Sequence, residues 1–262
     1  MDYKLPQLPI REQNSNKGTF GKILNVSGSD YMTGAAYLSS VAALRVGAGY
    51  VELASSEKVL DVVSKLAPEV VLAPLSKISE IEASVLLVGC GLSVFNKGIF
   101  ELALSKNLPT VIDADGLNIL AKNDIKLPAN VILTPHPKEA SRLLNCTLDE
   151  VLENMEIAAK KICEKYNCIT VLKSHKTIVT DGNKIYYNTT GNSALAKAGS
   201  GDVLAGMIAG FTAQKMAGFD ASVLAVYLHG LAGELAAKDL SEYGVLASDL
   251  LKYIPSAIKS LH

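Results

Sequence analysis

Cysteine is scarce in this sequence, and the few cysteines lack the spacing of a metal or redox site. None belongs to a C-x-x-C pair or has a histidine partner at metal-ligand spacing, and the four positions are Cys90, Cys146, Cys163 and Cys168. Structural zinc sites and redox-active dithiols carry such spacings. The pattern therefore predicts reduced thiols in the core or on the surface.

An excess of charge of one sign is also absent, as is an apolar leader. Lys and Arg together number 25 and Asp and Glu 26, so no basic field points to nucleic acid or to an anionic membrane. The N-terminal residues M-D-Y-K-L-P-Q-L-P contain no signal-peptide core, and Lys215, His229 and Glu234 interrupt the long apolar helical patterns. We expect a cytoplasmic protein whose partners are small molecules, with no nucleic acid and no membrane among them.

The sequence contains no G-x-x-x-x-G-K-[ST] segment, which excludes P-loop chemistry as far as a motif can. G-C-G-L-S at 89–93 lacks the third glycine of a dinucleotide fingerprint, and a simple turn also explains its glycines. Internal repeats, low-complexity tracts and linkers are missing as well. With 262 residues, 49% of them hydrophobic and 19% charged, one globular domain over residues 1–262 is expected.

Apolar runs of strand length alternate with helical patterns along the chain. The runs are bounded by Gly, Asn or Pro and lie at residues 21–26, 50–54, 85–88, 110–112, 131–133 and 169–172. Such continuous runs suit parallel strands that are covered on both faces. Residues 177–180 and 184–188, joined by a turn at 181–183, predict an antiparallel hairpin. The pattern predicts an α/β protein with three α/β/α layers, a mostly parallel central sheet and antiparallel edge strands.

Capping side chains predict where several helices begin. Thr33 is expected to cap the first long helix, which would end near Gly47 and Gly49. Three further helices are each expected to begin near a capping residue, namely Asp202, Asp220 and Ser248.

The segment 191–210, G-N-S-A-L-A-K-A-G-S-G-D-V-L-A-G-M-I-A-G, is the most informative part of the sequence. Glycines let a backbone approach a polyanion, and the first free N–H groups of a helix form an anion site. A carboxylate at Asp202 makes sense there if it takes a proton from a hydroxyl that attacks a phosphoryl group. G-S-G-D alone fits a plain helix start equally well, with Ser200 or Asp202 as the cap. The glycine content over so long a segment favours the phosphate site.

Polar side chains follow several predicted strands, where an open α/β sheet binds its ligands. For Asp113 and Asp115 two alternatives stay open, because both residues fit the cap of a short helix and the ordering of magnesium through water. His136 stands between Pro135 and Pro137, and a rigid polar side chain at a strand end favours a ligand contact.

Further along the chain, Lys173 is placed to meet a phosphate. His175 and Lys176 fit a nucleotide contact and a solvated turn equally well. His229 lies inside an apolar helix, which favours a buried histidine with satisfied polar atoms, or one that supports a neighbour, over a catalytic one.

Several motifs occur in a fixed order along nearly the whole chain. They read N-K-G-T-F-G-K-I-L-N-V-S-G-S with M-T-G-A-A, D-A-D-G-L-N, L-T-P-H-P-K-E, V-L-K-S-H-K-T and G-N-S-A-L-A-K-A-G-S-G-D-V-L-A-G, followed by Y-L-H-G-L-A-G-E and A-S-D-L-L. Together they resemble the ADP-dependent NAD(P)H-hydrate dehydratases of the ribokinase-like superfamily. G-S-G-D alone would mark only the wider superfamily. The resemblance implies one ribokinase-like dehydratase domain, residues 1–262.

The resemblance also implies the reaction and its partners. Water adds to the reduced nicotinamide ring to give NADHX or NADPHX, and the enzyme returns the S epimer to NADH or NADPH while ADP is converted to AMP and phosphate. Mg²⁺ is the implied cofactor, no metal-ligating side chain is assigned, and ATP in place of ADP stays open. Because 262 residues leave no room for an epimerase domain, a separate NAD(P)HX epimerase is expected as pathway partner. We further expect a homo-oligomer, specifically a tetramer.

The resemblance assigns roles to individual positions. Hydrate contacts fall on Ala36, Gly91, His136 and Asp202. Nucleotide contacts fall on Lys173, Ser174, His175, Lys176, Thr177, Gly199, Ser200 and Gly201. Asp202 is the implied base, and the backbone N–H groups of residues 199–201 are the implied site for the transferring phosphoryl group.

Three short segments depart from the family pattern. The chain has A-G-S-G-D for G-G-T-G-D, K-S for K-G, and G-N-S-A-L-A-K for G-N-P-G-M-A-T. Ser200 keeps a hydroxyl and Ala198 stays small, so the anion site is expected to persist. The departures at Ser174 and Lys197 affect which individual contacts with the nucleotide can be expected.

Two other functions stay open. A small-alcohol kinase of the same superfamily, of the hydroxyethylthiazole or hydroxymethylpyrimidine type, would use the same Asp202 but release a stable phosphate ester. The T-P-H-P and K-G-T-F-G elements favour the dehydratase. A non-catalytic nucleotide-binding sensor is the more distant alternative, and the carboxylate of Asp202 beside phosphate argues against it.

Overall fold

A computed structural model describes residues 3–261 of the chain. Residues 1, 2 and 262 of the expected domain lie outside the described residues. Nine strands form one sheet: β1 Lys22–Val26, β2 Tyr50–Ser55, β3 Val71–Pro74, β4 Val85–Val88, β5 Thr110–Ile112, β6 Val131–Leu133, β7 Ile169–Leu172, β8 Ile178–Thr180 and β9 Ile185–Tyr187.

The sheet is mostly parallel, and its order is β3-β2-β1-β4-β5-β6-β7-β8-β9. The strands from β3 to β7 pair in parallel, whereas β8 and β9 pair antiparallel at one edge. In the centre Val26 pairs with Val88, Val88 with Ile112, and Ile112 with Leu133. The last residues of four neighbouring strands are therefore in register, and the loops that follow them meet at one edge of the sheet.

Ten helices cover the two faces of the sheet within residues 3–261. They are α1 Thr33–Arg45, α2 Glu57–Leu66, α3 Lys97–Leu104, α4 Asp115–Lys122, α5 Pro137–Leu144, α6 Leu148–Glu153, α7 Met155–Tyr166, α8 Ser200–Ala213, α9 Gly218–Gly244 and α10 Ala247–Lys259. None of the helices in this part of the chain has both the length and the hydropathy that a membrane-spanning segment requires.

Two hydrophobic cores lie on opposite faces of the sheet. Leu87 of β4 and Phe211 of α8 belong to one core, whereas Leu86 and Phe100 of α3 belong to the other. Neighbouring residues of a strand point to opposite faces, and both faces of β4 are buried. This arrangement confirms the predicted three-layer fold with antiparallel strands at its edge.

The predicted strands agree closely with those in the structure. Four of the predicted runs have the observed bounds, and the first two differ from β1 and β2 by one residue at one end. The hairpin strands are shorter than predicted. The sequence interpretation missed β3, because this edge strand exposes Val71 and ends in Pro74, so it lacks the apolar run of a central strand.

The predicted side-chain caps were wrong. Thr33 is the first residue of α1, and the preceding Met32 makes no capping hydrogen bond. The helices α8 and α9 likewise begin without a side-chain cap, after Gly199 and Ala217. At the start of α10 the carboxylate of Asp249, not the predicted Ser248, accepts from the N–H of Leu246 at 3.0 Å. Burial of their apolar faces stabilises these helices, so a local cap is dispensable.

Two glycines of α8 allow close contact with α1. A Cβ atom at Gly206 would lie 2.1 Å from the carbonyl oxygen of Ser39, and one at Gly210 would lie 2.7 Å from that of Ala43. These glycines serve helix packing, so counting them in favour of a phosphate site was wrong. Within residues 191–210, Gly199 and Gly201 at the start of α8 remain candidates for ligand binding.

Candidate active site

The start of α8 meets the loops that follow β4, β5 and β7. A Cβ atom on Gly201 would lie 3.3 Å from Nζ of Lys173 and 3.6 Å from Oδ2 of Asp113. Cys90, Asp113 and Asp202 each place a ligand atom within 4.8 Å of the other two. The ammonium group of Lys173, the carboxylates of Asp113 and Asp202 and the thiol of Cys90 thus lie close together at one edge of the sheet, although they come from four separate segments.

Gly199 sets the path of the chain into α8. Its φ of +90° lies in the left-handed region, and a Cβ atom there would be 2.5 Å from Cδ1 of Leu38 and 3.0 Å from Cβ of Ala247. Backbone conformation and crowding both require glycine at this position.

The first turn of α8 leaves the amides of Gly201 and Asp202 free. The N–H of Ser200 donates to the carbonyl oxygen of Lys197 at 3.3 Å. The N–H groups of Gly201 and Asp202 donate to no backbone carbonyl of residues 3–261. With the positive end of the helix dipole, these two groups make a candidate anion site. Of the predicted amides of residues 199–201, that of Ser200 is engaged, whereas those of Gly199 and Gly201 have no backbone acceptor in residues 3–261.

The carboxyl group of Asp202 is poised for proton transfer near neutral pH. Burial, followed by the negative charge of Asp113, raises the pKa of Asp202 to about 6. A base of this pKa is ionised at neutral pH and still accepts a proton readily. The neighbouring Cys90 is fully buried, and burial raises the pKa of its thiol well above the usual value. Asp202 is therefore the group in this pair that can act as a base.

Lys173 joins two buried carboxylates beside the anion site. Its Nζ lies 2.6 Å from Oδ1 of Asp113 and 3.9 Å from Oε2 of Glu139, and these acidic side chains are 2% and 6% exposed. Burial lowers the pKa of Lys173, but the charges of Asp113 and Glu139 outweigh it, and the pKa is raised. Lys173 therefore carries its charge at any physiological pH.

The two carboxylates of the D-A-D-G segment do not cap α4. Ala114 precedes the helix with a φ of 50° and no side-chain cap bond is made, so the capping alternative for Asp113 and Asp115 was wrong. Asp113 binds Lys173 instead. Oδ2 of Asp115 accepts a hydrogen bond of 2.9 Å from the N–H of Ser93 and ties down the loop after β4.

His136 is the N-cap of α5. Its Nδ1 accepts from the N–H groups of Lys138 and Glu139 at 3.2 and 3.3 Å, and Oε2 of Glu139 accepts from the His136 N–H at 2.8 Å. The ring is nearly half exposed, and burial, with the charge of Lys173 second, lowers the pKa of His136. A neutral, rigidly held imidazole thus stands beside the Lys173 cluster.

The predicted nucleotide segment forms a tight turn between β7 and β8. The N–H of Ser174 donates to Oγ1 of Thr177 at 3.2 Å, and the Thr177 hydroxyl donates back to the Ser174 carbonyl at 3.0 Å. Oγ of Ser174 also accepts from the N–H of Lys176 at 3.1 Å. His175 and Lys176 are exposed. Their contact with nucleotide stays a prediction.

Ala36 and Gly91 lie in one wall of the site, with little surface of their own. Ala36 has no exposed surface and packs under Gly28, where a Cβ atom would lie 3.0 Å from Cβ of Ala36. Gly91 has a φ of +60°, and a Cβ there would be 2.8 Å from Cβ of Ala35. The N–H of Gly28 donates to the carbonyl of Cys90 at 2.8 Å and joins the two loops. The predicted hydrate contact of Ala36 therefore cannot involve an exposed side chain.

A family model described as NAD(P)H-hydrate dehydratase matches residues 23–256. The chain belongs to the NAD(P)H-hydrate dehydratase family. It is 39% identical over 255 residues to the ADP-dependent (S)-NAD(P)H-hydrate dehydratase of Neisseria meningitidis, a match that covers 92% of this chain and 84% of the relative.

Other relatives of this dehydratase family are longer or have solved structures. The bifunctional NAD(P)H-hydrate repair enzyme of Coxiella burnetii is 36% identical over 95% of this chain, which spans 52% of that enzyme's length. The ADP/ATP-dependent NAD(P)H-hydrate dehydratase of Bacillus subtilis, co-crystallised with ATP and Mg²⁺, superposes with a TM-score of 0.89 at 32% identity, over 97% of this chain and 95% of that one. The ribokinase-like fold is thereby confirmed.

Sequence reasoning about this dehydratase-family chain missed Glu139 and the partners of Ser200. Glu139 follows His136 by three residues, which is the spacing of a capping box and could have drawn attention to it. Nε2 of His229 lies 3.1 Å from Oγ of Ser200 and 3.0 Å from its carbonyl oxygen. These contacts agree with the expectation that His229 is a buried histidine whose polar atoms are satisfied or that supports a neighbour.

We predict that His136→Ala and His136→Asn both raise the KM for the hydrate more than the KM for ADP. The imidazole is predicted to face the hydrate, and neither variant retains it. Asn keeps an N-cap acceptor, whereas Ala loses one and with it about 1 kcal/mol of stability. Steady-state kinetics and thermal unfolding of both variants separate the two effects. Equal changes in both KM values would assign His136 to the scaffold.

Proposed function

We propose that the chain catalyses the ADP-dependent dehydration of the S epimer of NAD(P)HX to NAD(P)H, with release of AMP and phosphate. The observation that carries the proposal is the position of Asp202. Its carboxyl group has a pKa of about 6 and stands in the turn that presents two free amides, next to the ammonium group of Lys173. A site that only bound nucleotide would gain nothing from a carboxylate there.

The chemistry follows from the hydroxyl that must leave. It is bonded to the carbon next to the ring nitrogen, and hydroxide is a poor leaving group. Asp202 accepts the hydroxyl proton as the oxygen attacks the terminal phosphoryl group of ADP, and AMP departs. The ring-nitrogen lone pair then forms a C–N double bond and expels phosphate, and loss of a ring proton restores the dihydropyridine. No hydride is transferred, so the nicotinamide is substrate and not reductant.

The amides of Gly201 and Asp202 and the cation of Lys173 stabilise negative charge on the transferring group. Backbone donors held by a helix need no reorganisation during the reaction, and one such donor contributes about a hundredfold to a thousandfold in rate. Lys173 adds a full charge that its carboxylate partners hold in place.

The residues present fit a magnesium ion. The carboxylates of Asp113 and Asp202 each place an oxygen within 4.8 Å of the other, and Mg²⁺ prefers such oxygen ligands. The thiol of Cys90 does not fit it. We propose that the two carboxylates hold the ion through water, which leaves the carboxylate of Asp202 able to accept the hydroxyl proton. When bound, Mg²⁺ neutralises phosphate charge and polarises the phosphoryl oxygens.

Product stoichiometry tests the proposed function. Incubation with prepared NADHX, Mg²⁺ and ADP is expected to give one AMP, one phosphate and one NADH for each ADP consumed. Parallel reactions with ATP decide the nucleotide preference. A stable phosphorylated thiazole or pyrimidine, with no NADH regained under either nucleotide, would instead establish the small-alcohol kinase. Nucleotide binding without any turnover would establish the sensor.

We predict that kcat/KM for the hydrate falls about tenfold per pH unit below about pH 6 and is flat above it, because protonation removes the base. An ordinary aspartate would preserve the rate to about pH 4. Burial and Asp113 raise the Asp202 pKa, while Lys173 opposes them. Initial rates corrected for uncatalysed decay of the hydrate give the midpoint. A midpoint near pH 4 would show that another group controls the rate.

The proposal extends to partners, location and assembly. It includes one dehydratase domain over residues 1–262, an NAD(P)HX epimerase as pathway partner, a cytoplasmic location and a homo-oligomer with four copies. The resemblance supports the epimerase, since the repair enzymes that match this chain are named bifunctional. Light scattering of the purified protein tests the oligomer, and assay of racemic hydrate with and without added epimerase tests the partner.

A further inference from the structure

We propose that His229 is a positioning residue that holds the first turn of α8, and with it Asp202, in place for proton transfer. The inference rests on the proposed function, in which Asp202 is the base. It starts from two contacts of one nitrogen: Nε2 of His229 lies 3.0 Å from the carbonyl oxygen of Ser200 and 3.1 Å from its hydroxyl oxygen.

The contact with the carbonyl fixes the tautomer of His229. A carbonyl oxygen only accepts hydrogen bonds, so Nε2 must carry the proton. The side chain is 8% exposed, and burial lowers the pKa of His229 to about 4. The ring is therefore neutral at physiological pH and acts as a fixed donor, not as an acid or a base.

The first turn of α8 needs such an anchor. Ser200 stands between Gly199 and Gly201, and the helix begins without a side-chain cap. Glycines on both sides leave the backbone unusually free to move. Asp202 is two residues from the Ser200 carbonyl, so a shift of this turn displaces its carboxylate and both free amides together. A displacement of about 1 Å can lower a rate about a hundredfold.

The loop at residues 188–199, which leads from β9 to α8, also makes two hydrogen bonds to α9. Oε1 of Glu234 accepts a hydrogen bond of 2.7 Å from the N–H of Gly191, and the hydroxyl of Thr190 donates to the carbonyl of Tyr227 at 2.8 Å. These contacts hold the beginning of the loop. His229 makes the contact at the other end of this loop, where α8 begins with the turn that contains Ser200 and Asp202.

Four variants test the proposal by steady-state kinetics. His229→Leu keeps the volume but removes the donor, and we expect kcat to fall about tenfold to a hundredfold while both KM values change less than about threefold. His229→Gln retains an N–H donor and is expected to recover most of kcat. Ser200→Ala removes the hydroxyl but keeps the carbonyl, so its loss should be smaller than that of His229→Leu. Ser222→Ala is the matched control, since it removes a buried hydrogen bond of 2.7 Å within α9, away from the loop.

Three outcomes would overturn the positioning role. The first is a kcat of His229→Leu within about twofold of wild type. The second is a fall in kcat of His229→Leu that is no larger than that of Ser222→Ala. The third is a rise in both KM values of His229→Leu that is as large as the fall in its kcat.

A readout without substrate separates this inference from the proposed function. ¹⁵N spectra of histidine-labelled protein are expected to show the ring of His229, identified as the signal that is missing from His229→Gln, as neutral and protonated at Nε2 over the physiological pH range. A ring protonated at Nδ1 would overturn the contact itself. If wild type restores no NADH from the hydrate while the Nε2 signal is present, the proposed function fails and the anchoring of Ser200 stands.

Discussion

An Asp202→Asn variant is expected to fold, bind ADP and lose turnover. A positioned general base contributes about a hundredfold to ten-thousandfold in rate, and asparagine preserves the shape of the side chain without accepting the proton. The nucleotide should bind at least as tightly, since a negative charge beside its phosphates is gone. Calorimetry with ADP and phosphate release from NADHX measure the two effects. Turnover within a few-fold of wild type would remove Asp202 from the mechanism.

The same variant is expected to be more stable than wild type at pH 8. Burial raises the pKa of Asp202 from 3.8 to about 6, so the folded state binds a proton more tightly than the unfolded state. The stability that the protonated carboxyl contributes is lost as the pH rises through this window. Asparagine avoids that loss, so the melting temperature should rise by several degrees at pH 8 and by little near pH 4. Asp61→Asn, on an exposed helix face, is the matched control and should shift neither rate nor melting temperature.

Lys173→Met is expected to destabilise the protein by about 3–5 kcal/mol above about pH 7. It leaves the buried carboxylates of Asp113 and Glu139 without their cation, and an uncompensated buried charge is strongly unfavourable. A domain of this size loses about 2–4 °C of melting temperature per kcal/mol, so a drop on the order of 10 °C should be measured. Acidification should reverse part of the loss, because burial already raises the pKa of Glu139 to about 7. Activity should fall as well, since Lys173 stands beside Gly201.

The double variant Lys173→Met/Asp113→Asn should recover part of the lost stability, because it removes one of the unpaired charges. Lys65→Met is the matched control, since its partner Asp61 and Lys65 itself are 65% and 69% exposed. Exposed ion pairs contribute less than about 1 kcal/mol. If both lysine variants lose equally little, the buried cluster does not contribute to stability as described.

Much of the fold could be predicted because its signals are local. A parallel strand buried on both faces appears as an uninterrupted apolar run, and four such runs had the observed bounds. The edge strand β3 gives no such run. The caps failed for a different reason: α8, α9 and α10 pack against one another, and α8 and α10 also pack against α1, so these helices did not require side chains at the predicted capping positions.

The candidate site was predictable in part. Asp202, Lys173 and His136 stand at strand or helix ends, and that position, together with the motifs around them, indicated that they belong to the site. The ion pair of Lys173 with Asp113 joins residues 60 positions apart, so no local pattern shows it. It depends on the register of β5, β6 and β7, which places the residues after these strands side by side. The contact between His229 and Ser200 depends in the same way on how α9 crosses α8.

The glycines at 206 and 210 make the backbones of α1 and α8 touch, with no layer of flexible side chains between them. Side chains between two helices can change rotamer and so let the helices slide or tilt, whereas a direct contact between two backbones does not allow this movement. The predicted hydrate contact at Ala36 of α1 and the candidate anion site at the start of α8 are therefore held at a fixed distance from each other. Folding itself sets the distance between these two parts of the site. A Gly206→Ala change would place a Cβ atom 2.1 Å from the carbonyl oxygen of Ser39, so it is expected to displace α1 and α8 relative to each other and to lower activity.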